Sequence, residues 1–419
     1  MSFARFKFVA ALSITAVLVG LVTGVATAQS VNLRVQTAGA NQATMDEIAS
    51  RFEAENPDVD VQVTSSALEQ YQVALLTQLA ANNGPDVMYV LPGGANPISV
   101  RPLAAAGNLL DLSDEPWVSR IPAGFKADTE YEGKTVIYPT GQAMIGVLYN
   151  QDVFDANGIS LPATYDELLQ TCEAFNEAGI IPIVQGNLTP WVPQLVTYNI
   201  VPSTVYAENP DFNTEQAAGE TSFAASEGWQ EAFTKIQELI DRGCFNENTN
   251  GTTIDQMVES LGTGDAAMTF MLTAAMSRIA PYVEEGVNIG MMPFPAVNDP
   301  ANIYALAFPL NSYGVYGKTE HPEEAKAFVE FMTRPEIIQL FVDASRDIPI
   351  LTTEGIDIDP ILDNMLQAVA EGRSASSPDQ AWPNTFVQQE HIAVVQEFFA
   401  GTTTADEALE RMDKAYNEE

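Results

Sequence analysis

The sequence predicts an α/β protein made of two interleaved lobes, and three observations support that fold class. The chain has 419 residues, of which 46% are hydrophobic and 18% are charged, so it can bury a large core in more than one lobe. From Val31 onward, segments of alternating apolar residues and segments with apolar residues at helical spacing follow one another. No low-complexity linker interrupts the chain, so we expect it to cross between the lobes more than once.

The first elements form a strand–helix–strand unit with a parallel strand pair. Val31, Leu33 and Val35 alternate, residues 43–56 have helical spacing, and residues 59–63 alternate again. The helix is predicted to end at Asn56, because the following proline disfavours helical geometry there.

A second helix over 68–81 leads into a short buried strand over 86–90, which Gly93 and Gly94 follow at a turn. In open α/β sheets, ligands bind beyond the carboxyl ends of the strands. Gly93 and Gly94 therefore stand where the backbone could approach a ligand, although a plain tight turn explains them equally well.

Residues 131–183 predict a passage between two compact units without a linker. They contain a hairpin over 131–139, a buried strand over 143–149, a capped helix over 164–177 and a strand that begins at Ile180. Further on, the pattern predicts a long amphipathic helix over 225–242 and strands over 287–295 and 303–315. The remaining helices are predicted over 323–333, 336–344, 360–371, 388–399 and 404–416.

The first 28 residues have the layout of a cleavable secretory signal. Arg5 and Lys7 precede an apolar run over 8–21, and small residues end at Ala28. We expect cleavage near Ala28 and an exported, periplasmic protein; a single membrane anchor is the alternative. No cysteine lies near the predicted cut, so no lipid anchor is expected.

Charge excludes several classes of partner. The formal net charge is −38, and loss of the two basic signal residues brings it to about −40. Such a field repels nucleic acid and anionic membrane surfaces. The acidic residues are spread over the chain, which indicates a solvated surface more than an acid-specific partner.

The two cysteines, Cys172 and Cys244, favour a disulfide in an exported protein. Two buried free thiols are the alternative.

The sequence offers no catalytic or metal-binding constellation. His321 and His391 are the two histidines, and no HExxH, GxSxG or cysteine–histidine motif occurs. We therefore expect no catalytic residue, metal or cofactor. Because the carboxylate pair of a glycosidase is defined in space and not in sequence, a secreted glycoside hydrolase stays open as an alternative.

Two tryptophans lie in polar, proline-containing loops, Trp191 and Trp382. An aromatic face suits the CH-rich face of a sugar, while nearby amides and carboxylates bind its hydroxyl groups. Both are therefore candidate ligand contacts; for Trp382, anchoring of its own loop is the alternative.

Several motifs, in this order and spacing, together resemble a known family. They are Gly84-Pro85-Asp86-Val87, Tyr131-Glu132-Gly133-Lys134, Tyr138-Pro139, Leu148-Tyr149-Asn150, Pro162-Ala163-Thr164-Tyr165-Asp166-Glu167-Leu168 and Gly264-Asp265-Ala266-Ala267-Met268. The chain resembles the extracellular solute-binding proteins of ABC sugar importers, of the maltose-binding type.

That resemblance implies a two-lobed periplasmic binding protein fold with a hinge and a ligand cleft between the lobes. It implies crossings near residues 139–142, 293–295 and 346–349. The first lobe would comprise residues 29–140 and 295–346, and the second residues 141–294 and 347–419.

The resemblance also implies site residues. Trp191 falls where the family places an aromatic ring against the sugar, with Thr189 just before it, and Gln142 and Asn41 fall near polar contacts. The chain departs from the family pattern at Met271-Leu272-Thr273-Ala274, where many members have a sugar-stacking tryptophan. Maltose specificity is therefore not expected.

We expect a monomeric binding protein that captures an oligosaccharide, monosaccharide or polyol and delivers it to an ABC transporter permease. A non-sugar solute such as a polyamine, peptide or phosphodiester is the alternative ligand.

Overall fold

The computed structural model describes residues 30–39, 42–94, 96–122, 125–273, 278–283, 287–346, 348–351 and 353–418. The predicted signal sequence and the candidate residue Asn41 lie outside these ranges.

The chain begins with the predicted strand–helix–strand unit. Strands β1 (Val31–Ala38) and β2 (Val59–Ser66) flank helix α1 (Gln42–Glu55) and pair in parallel, with Val31 opposite Val59. Helix α2 (Leu68–Ala80), strand β3 (Val87–Tyr89) and helices α3 (Val100–Ala105) and α4 (Lys126–Thr129) follow. The predicted hairpin is confirmed as β4 (Glu130–Tyr131) and β5 (Lys134–Thr135).

The middle of the chain opens with a long strand, β6 (Tyr138–Asn150). The elements after it are α5 (Gln151–Asn157), α6 (Tyr165–Ala178), β7 (Ile181–Val184), α7 (Gln194–Val201), α8 (Phe212–Ala217), α9 (Glu227–Asp241), α10 (Ile254–Thr263), β8 (Ala266–Leu272) and β9 (Ile289–Met292).

The last third contains one more long strand, β10 (Ala305–Val315). Its other elements are α11 (Pro322–Met332), α12 (Pro335–Ser345), α13 (Asp363–Ala370), β11 (Ser374–Ala375), α14 (Pro378–Ala381), α15 (Thr385–Phe399) and α16 (Ala405–Tyr416).

One sheet runs through both halves of the molecule, in the order β2-β1-β3-β10-β6-β8-β7, with β11 beside β10 and β9 beside β6. The pairs β1–β2 and β7–β8 are parallel, whereas β10 is antiparallel to both β3 and β6. The two long strands β6 and β10 therefore form the centre of the sheet.

Two separate hydrophobic cores lie on either side of this centre. The first core contains Leu33, Phe52 and Leu75 with the ends of the long strands at Tyr138 and Tyr313. The second core contains Trp229, Phe270 and Trp382 with the opposite ends of the same strands, Ala143–Tyr149 and Ala305–Phe308. We call the elements around these cores the first lobe and the second lobe.

Three chain segments meet between the cores. Gln142 on β6 lies opposite Pro309 on β10. The Gln142 backbone also exchanges two hydrogen bonds with Ile348, at N···O distances of 2.6 and 3.0 Å. Backbone from both lobes passes through this junction, so we interpret it as the hinge.

The first residues of β10 pack in the second core. Ala296 and Ala305–Phe308 lie in the second core, although residues 295–346 were expected in the first lobe. The chain passes to the first core only beyond Pro309, because β10 stays paired with β6 along its length, from Leu306 to Tyr313. The division of the chain at residues 140, 294 and 346 stays a prediction.

The predicted disulfide is confirmed. Cys172 on α6 and Cys244 after α9 are bonded, with a Cα–Cα distance of 5.1 Å, and both are fully buried in the second lobe. The bond ties α6 to the segment after α9, which runs beside β7, where the N–H of Ile183 donates to the carbonyl oxygen of Cys244 at 2.9 Å.

Candidate functional site

The first lobe presents the turn after β3 toward the second lobe. Gly93 has φ +72° and donates its N–H to the carbonyl oxygen of Asp128 at 3.2 Å. Gly94 lies against the Arg101 side chain, since a Cβ on Gly94 would be 2.8 Å from Arg101 Cδ. Both glycines are buried, and Gly93 faces the backbone of Gln380 from the second lobe. The turn thus contacts protein in this structure, and its role in ligand binding stays a prediction.

The second lobe contributes the loop between β7 and α7. Buried amides hold this loop: Gln185 Nε2 donates to Asn187 Oδ1 at 2.8 Å, and Asn187 Nδ2 donates to Asn250 Oδ1 at 3.1 Å. Gln396 of α15 donates to the Asn187 carbonyl at 2.7 Å. These hydrogen bonds give the loop a defined shape.

Thr189 and Trp191 follow on the same loop. Thr189 Oγ1 accepts a hydrogen bond from the N–H of Ile254 at 3.0 Å, so it also fixes the start of α10. The Trp191 ring is partly buried against the second core and partly accessible. This arrangement leaves part of an aromatic side chain accessible on a loop held by hydrogen bonds, as a sugar contact requires.

Trp382 has a different environment. It is fully buried, and its ring makes edge contacts with Tyr198, Phe223 and His391 at centroid distances of 6.4, 5.9 and 5.5 Å. A ring surrounded by other aromatics has no free face for a ligand. The packing favours the anchoring role that was the alternative for this residue.

Gln142 lies at the hinge. Its backbone bonds to Ile348, and its side chain is partly exposed between the lobes. The side chain therefore remains a candidate for a polar ligand contact.

Sequence reasoning missed a polar cluster on the second lobe, centred on Asp379. Ser377 Oγ donates to Asp379 Oδ1, and Gln388 Nε2 donates to Asp379 Oδ2 at 2.8 Å and to Gln194 Oε1 at 3.3 Å. Burial raises the pKa of Asp379, although the Ser377 hydroxyl opposes the shift. A carboxylate three residues before Trp382 in a polar loop was the only sequence signal for this cluster.

An acid of the first lobe faces this cluster. Burial raises the pKa of Asp128 to about 6; Arg101 opposes that rise, and the charge of Asp379 adds to it. The Asp128 carboxyl group is thus within electrostatic range of the Arg101 guanidinium and of the Asp379 carboxyl group. Such a set can bind hydroxyl groups as acceptors and donors.

Within the described ranges, no three His, Cys, Asp or Glu side chains are grouped so as to hold a metal ion. None of the helices in the part of the chain that the structure describes is long and apolar enough to cross a membrane.

Comparison with known proteins identifies similar sequences. The family model for bacterial extracellular solute-binding proteins matches residues 37–338. The multiple sugar-binding protein of Streptococcus mutans is 22% identical over 302 residues, covering 72% of this chain and 70% of that protein. The sn-glycerol-3-phosphate-binding periplasmic protein UgpB of Escherichia coli is 24% identical over 307 residues, covering 70% and 67%.

Solved structures share the fold. SBP RafE in complex with raffinose superposes with a TM-score of 0.78 and 21% identity, covering 93% of this chain and 99% of that one. The protein has two cores joined by two long strands. Together with this likeness, that arrangement confirms the predicted two-lobed α/β fold.

Proposed function

The chain belongs to the bacterial extracellular solute-binding proteins, and from that premise we propose that it captures a carbohydrate between its lobes and delivers it to an ABC transporter permease. It acts by binding and catalyses no reaction. It works in the periplasm as a monomer, after cleavage of its signal near Ala28 and without a lipid anchor.

The observation that supports a carbohydrate most directly is the Trp191 loop. The ring is partly accessible, and the loop that holds it is fixed by Gln185, Asn187 and Thr189. A flat apolar face on a preformed loop matches the CH face of a pyranose ring, and the polar groups nearby match its hydroxyls. The sugar-binding relatives named above agree with this choice.

Binding and closure are coupled through the hinge. A ligand held by Trp191 on the second lobe and by groups of the first lobe stabilises the arrangement in which both contact it. The permease would then recognise the closed form.

The test is a ligand screen of the mature protein. Calorimetry and thermal shift are measured with mono-, di- and oligosaccharides and polyols, and at least one compound is expected to bind and raise Tm. No binding by any compound in this panel would remove the carbohydrate proposal.

A second candidate is a glycerol-phosphate type ligand, which the similarity to UgpB favours. Arg101 beside Gly94 supplies one cation for it. However, Asp128 and Asp379 lie near that cation, and two carboxylates disfavour a bound phosphate. sn-Glycerol 3-phosphate belongs in the panel, and its selective binding would establish this candidate instead.

A further inference from the structure

The two lobes touch at a position where one side has no side chain. Gly93 follows β3 in the first lobe, and Gln380 belongs to α14 in the second. A Cβ built on Gly93 would lie 3.0 Å from the Gln380 carbonyl oxygen, 3.1 Å from its Cα and 3.2 Å from its Cβ. The first two of these neighbours are main-chain atoms, so they cannot rotate away.

Both sides of this contact are held in place. Gly93 bonds through its N–H to Asp128 and through its carbonyl to the N–H of Arg101 at 3.1 Å. Gln380 Nε2 donates to the carbonyl of Pro309 at 2.6 Å, which ties α14 to the crossing strand β10. The adjacent Trp382 is packed among aromatic rings. Neither surface can yield without disturbing the fold around it.

We propose that Gly93 and Gln380 form the stop that sets how closely the two lobes approach, and that the missing side chain at position 93 permits full closure. The inference rests on the proposed function in one respect, namely that closure serves ligand binding. The contact joins the lobes beside the hinge, so a small separation there is enlarged at the mouth of the cleft. A side chain at position 93 therefore favours an open arrangement.

An open arrangement weakens binding in a calculable way. The apparent affinity is proportional to the fraction of molecules that can reach the closed state, so a smaller closed fraction gives a weaker apparent affinity. Overpacking a contact of this kind changes an equilibrium by about 5- to 150-fold. Gly93→Ala is expected to weaken ligand binding within that range.

A second explanation of Gly93 has to be separated from this one. Its φ of +72° favours glycine whatever lies nearby. Gly107 provides the control, because it has φ +70°, lies in the same lobe, and has no atom within 4 Å of a built Cβ. Gly93→Ala and Gly107→Ala therefore impose the same backbone strain, but only the first places an atom against the other lobe.

The experiment compares wild type, Gly93→Ala and Gly107→Ala by small-angle X-ray scattering and by affinity for the panel ligand. Gly93→Ala is expected to have a larger radius of gyration, with and without ligand, and a weaker affinity than both others. Equal scattering curves for all three proteins would overturn the inference. If no compound binds any of them, the scattering still decides the inference, while the carbohydrate proposal fails separately.

Gln380→Ala provides a second route if Gly93→Ala does not fold by circular dichroism. It releases α14 from Pro309 without adding strain at position 93. The stop then loosens, and the radius of gyration is expected to differ from that of wild type; an unchanged value would count against the inference. Where Gly93→Ala does fold, the double variant Gly93→Ala/Gln380→Ala should lose less affinity than Gly93→Ala alone.

Discussion

Reduction of the Cys172–Cys244 disulfide is expected to destabilise the second lobe selectively. Both cysteines are fully buried there, 72 residues apart, and the closed loop contains β7, α7, α8 and α9. Closing a loop of that length stabilises the folded state by about 4 kcal/mol, through the entropy removed from the unfolded chain. With a typical urea dependence, the unfolding midpoint of the second lobe should fall on the order of 1 M.

Urea unfolding of the oxidised and reduced protein measures this effect. Trp229 and Trp382 report on the second core and Trp117 on the first, so fluorescence of single-tryptophan variants separates the lobes. The variant with both cysteines changed to alanine is the control, because added reductant should not alter its unfolding. Equal midpoints for oxidised and reduced protein, or a larger shift at Trp117, would refute the reasoning.

Three further predictions concern side chains around the cleft and the second core. Burial lowers the pKa of His391 from 6.5 to about 3, so between these pH values the unfolded chain binds a proton that the folded chain does not. The free energy of unfolding should therefore fall by about 1.4 kcal/mol for each pH unit between about pH 6 and pH 3. Burial raises the pKa of Asp128 from its ordinary 3.8 to about 6, and the charge of Asp379 on the second lobe adds to that rise. Because closure buries this carboxyl group near Asp379, ligand affinity should rise as the pH falls through 6 and level off near 4, as calorimetry at several pH values would show. Trp191→Ala should weaken ligand binding about fivefold or more, whereas Trp382→Phe should lower the urea midpoint and leave affinity unchanged.

Each of these has a matched control. His391→Phe keeps the aromatic packing and should remove its share of the pH slope; an unchanged slope would contradict the assignment. Asp128→Asn should flatten the affinity profile between pH 4 and 7, and a profile like that of wild type would rule out this carboxyl group. Wild-type affinity in Trp191→Ala would remove that ring from the site.

Local patterns in the sequence predicted much of the fold. The β1–α1–β2 unit and the hairpin at Tyr131 follow from the spacing of apolar residues and from turn residues, which act over a few positions. Helix α7 was missed because all its residues are buried, so no polar face marks its period. The start of β10 packs in the second core and its end in the first, and the point where a long strand leaves one core for the other has no local signal in the sequence.

The site was only partly predictable for the same reason. Trp191 and Trp382 occupy similar polar loops in the sequence, yet one ring is partly accessible and the other has 0% exposure. Asp128 and Asp379 are 251 positions apart, and nothing local to either indicates that the charge of one affects the other.

By itself the sequence determined the class of the protein: a strongly acidic α/β chain with one cysteine pair and the motif order of a solute-binding family. The tertiary structure alone decided which surfaces face each other, including the three-segment hinge at Gln142 and the contact of Gly93 with Gln380. The physical reason is range: helix periodicity, turns and caps depend on neighbours within a few residues, whereas a contact between lobes depends on how two separately packed cores are held by the strands that join them.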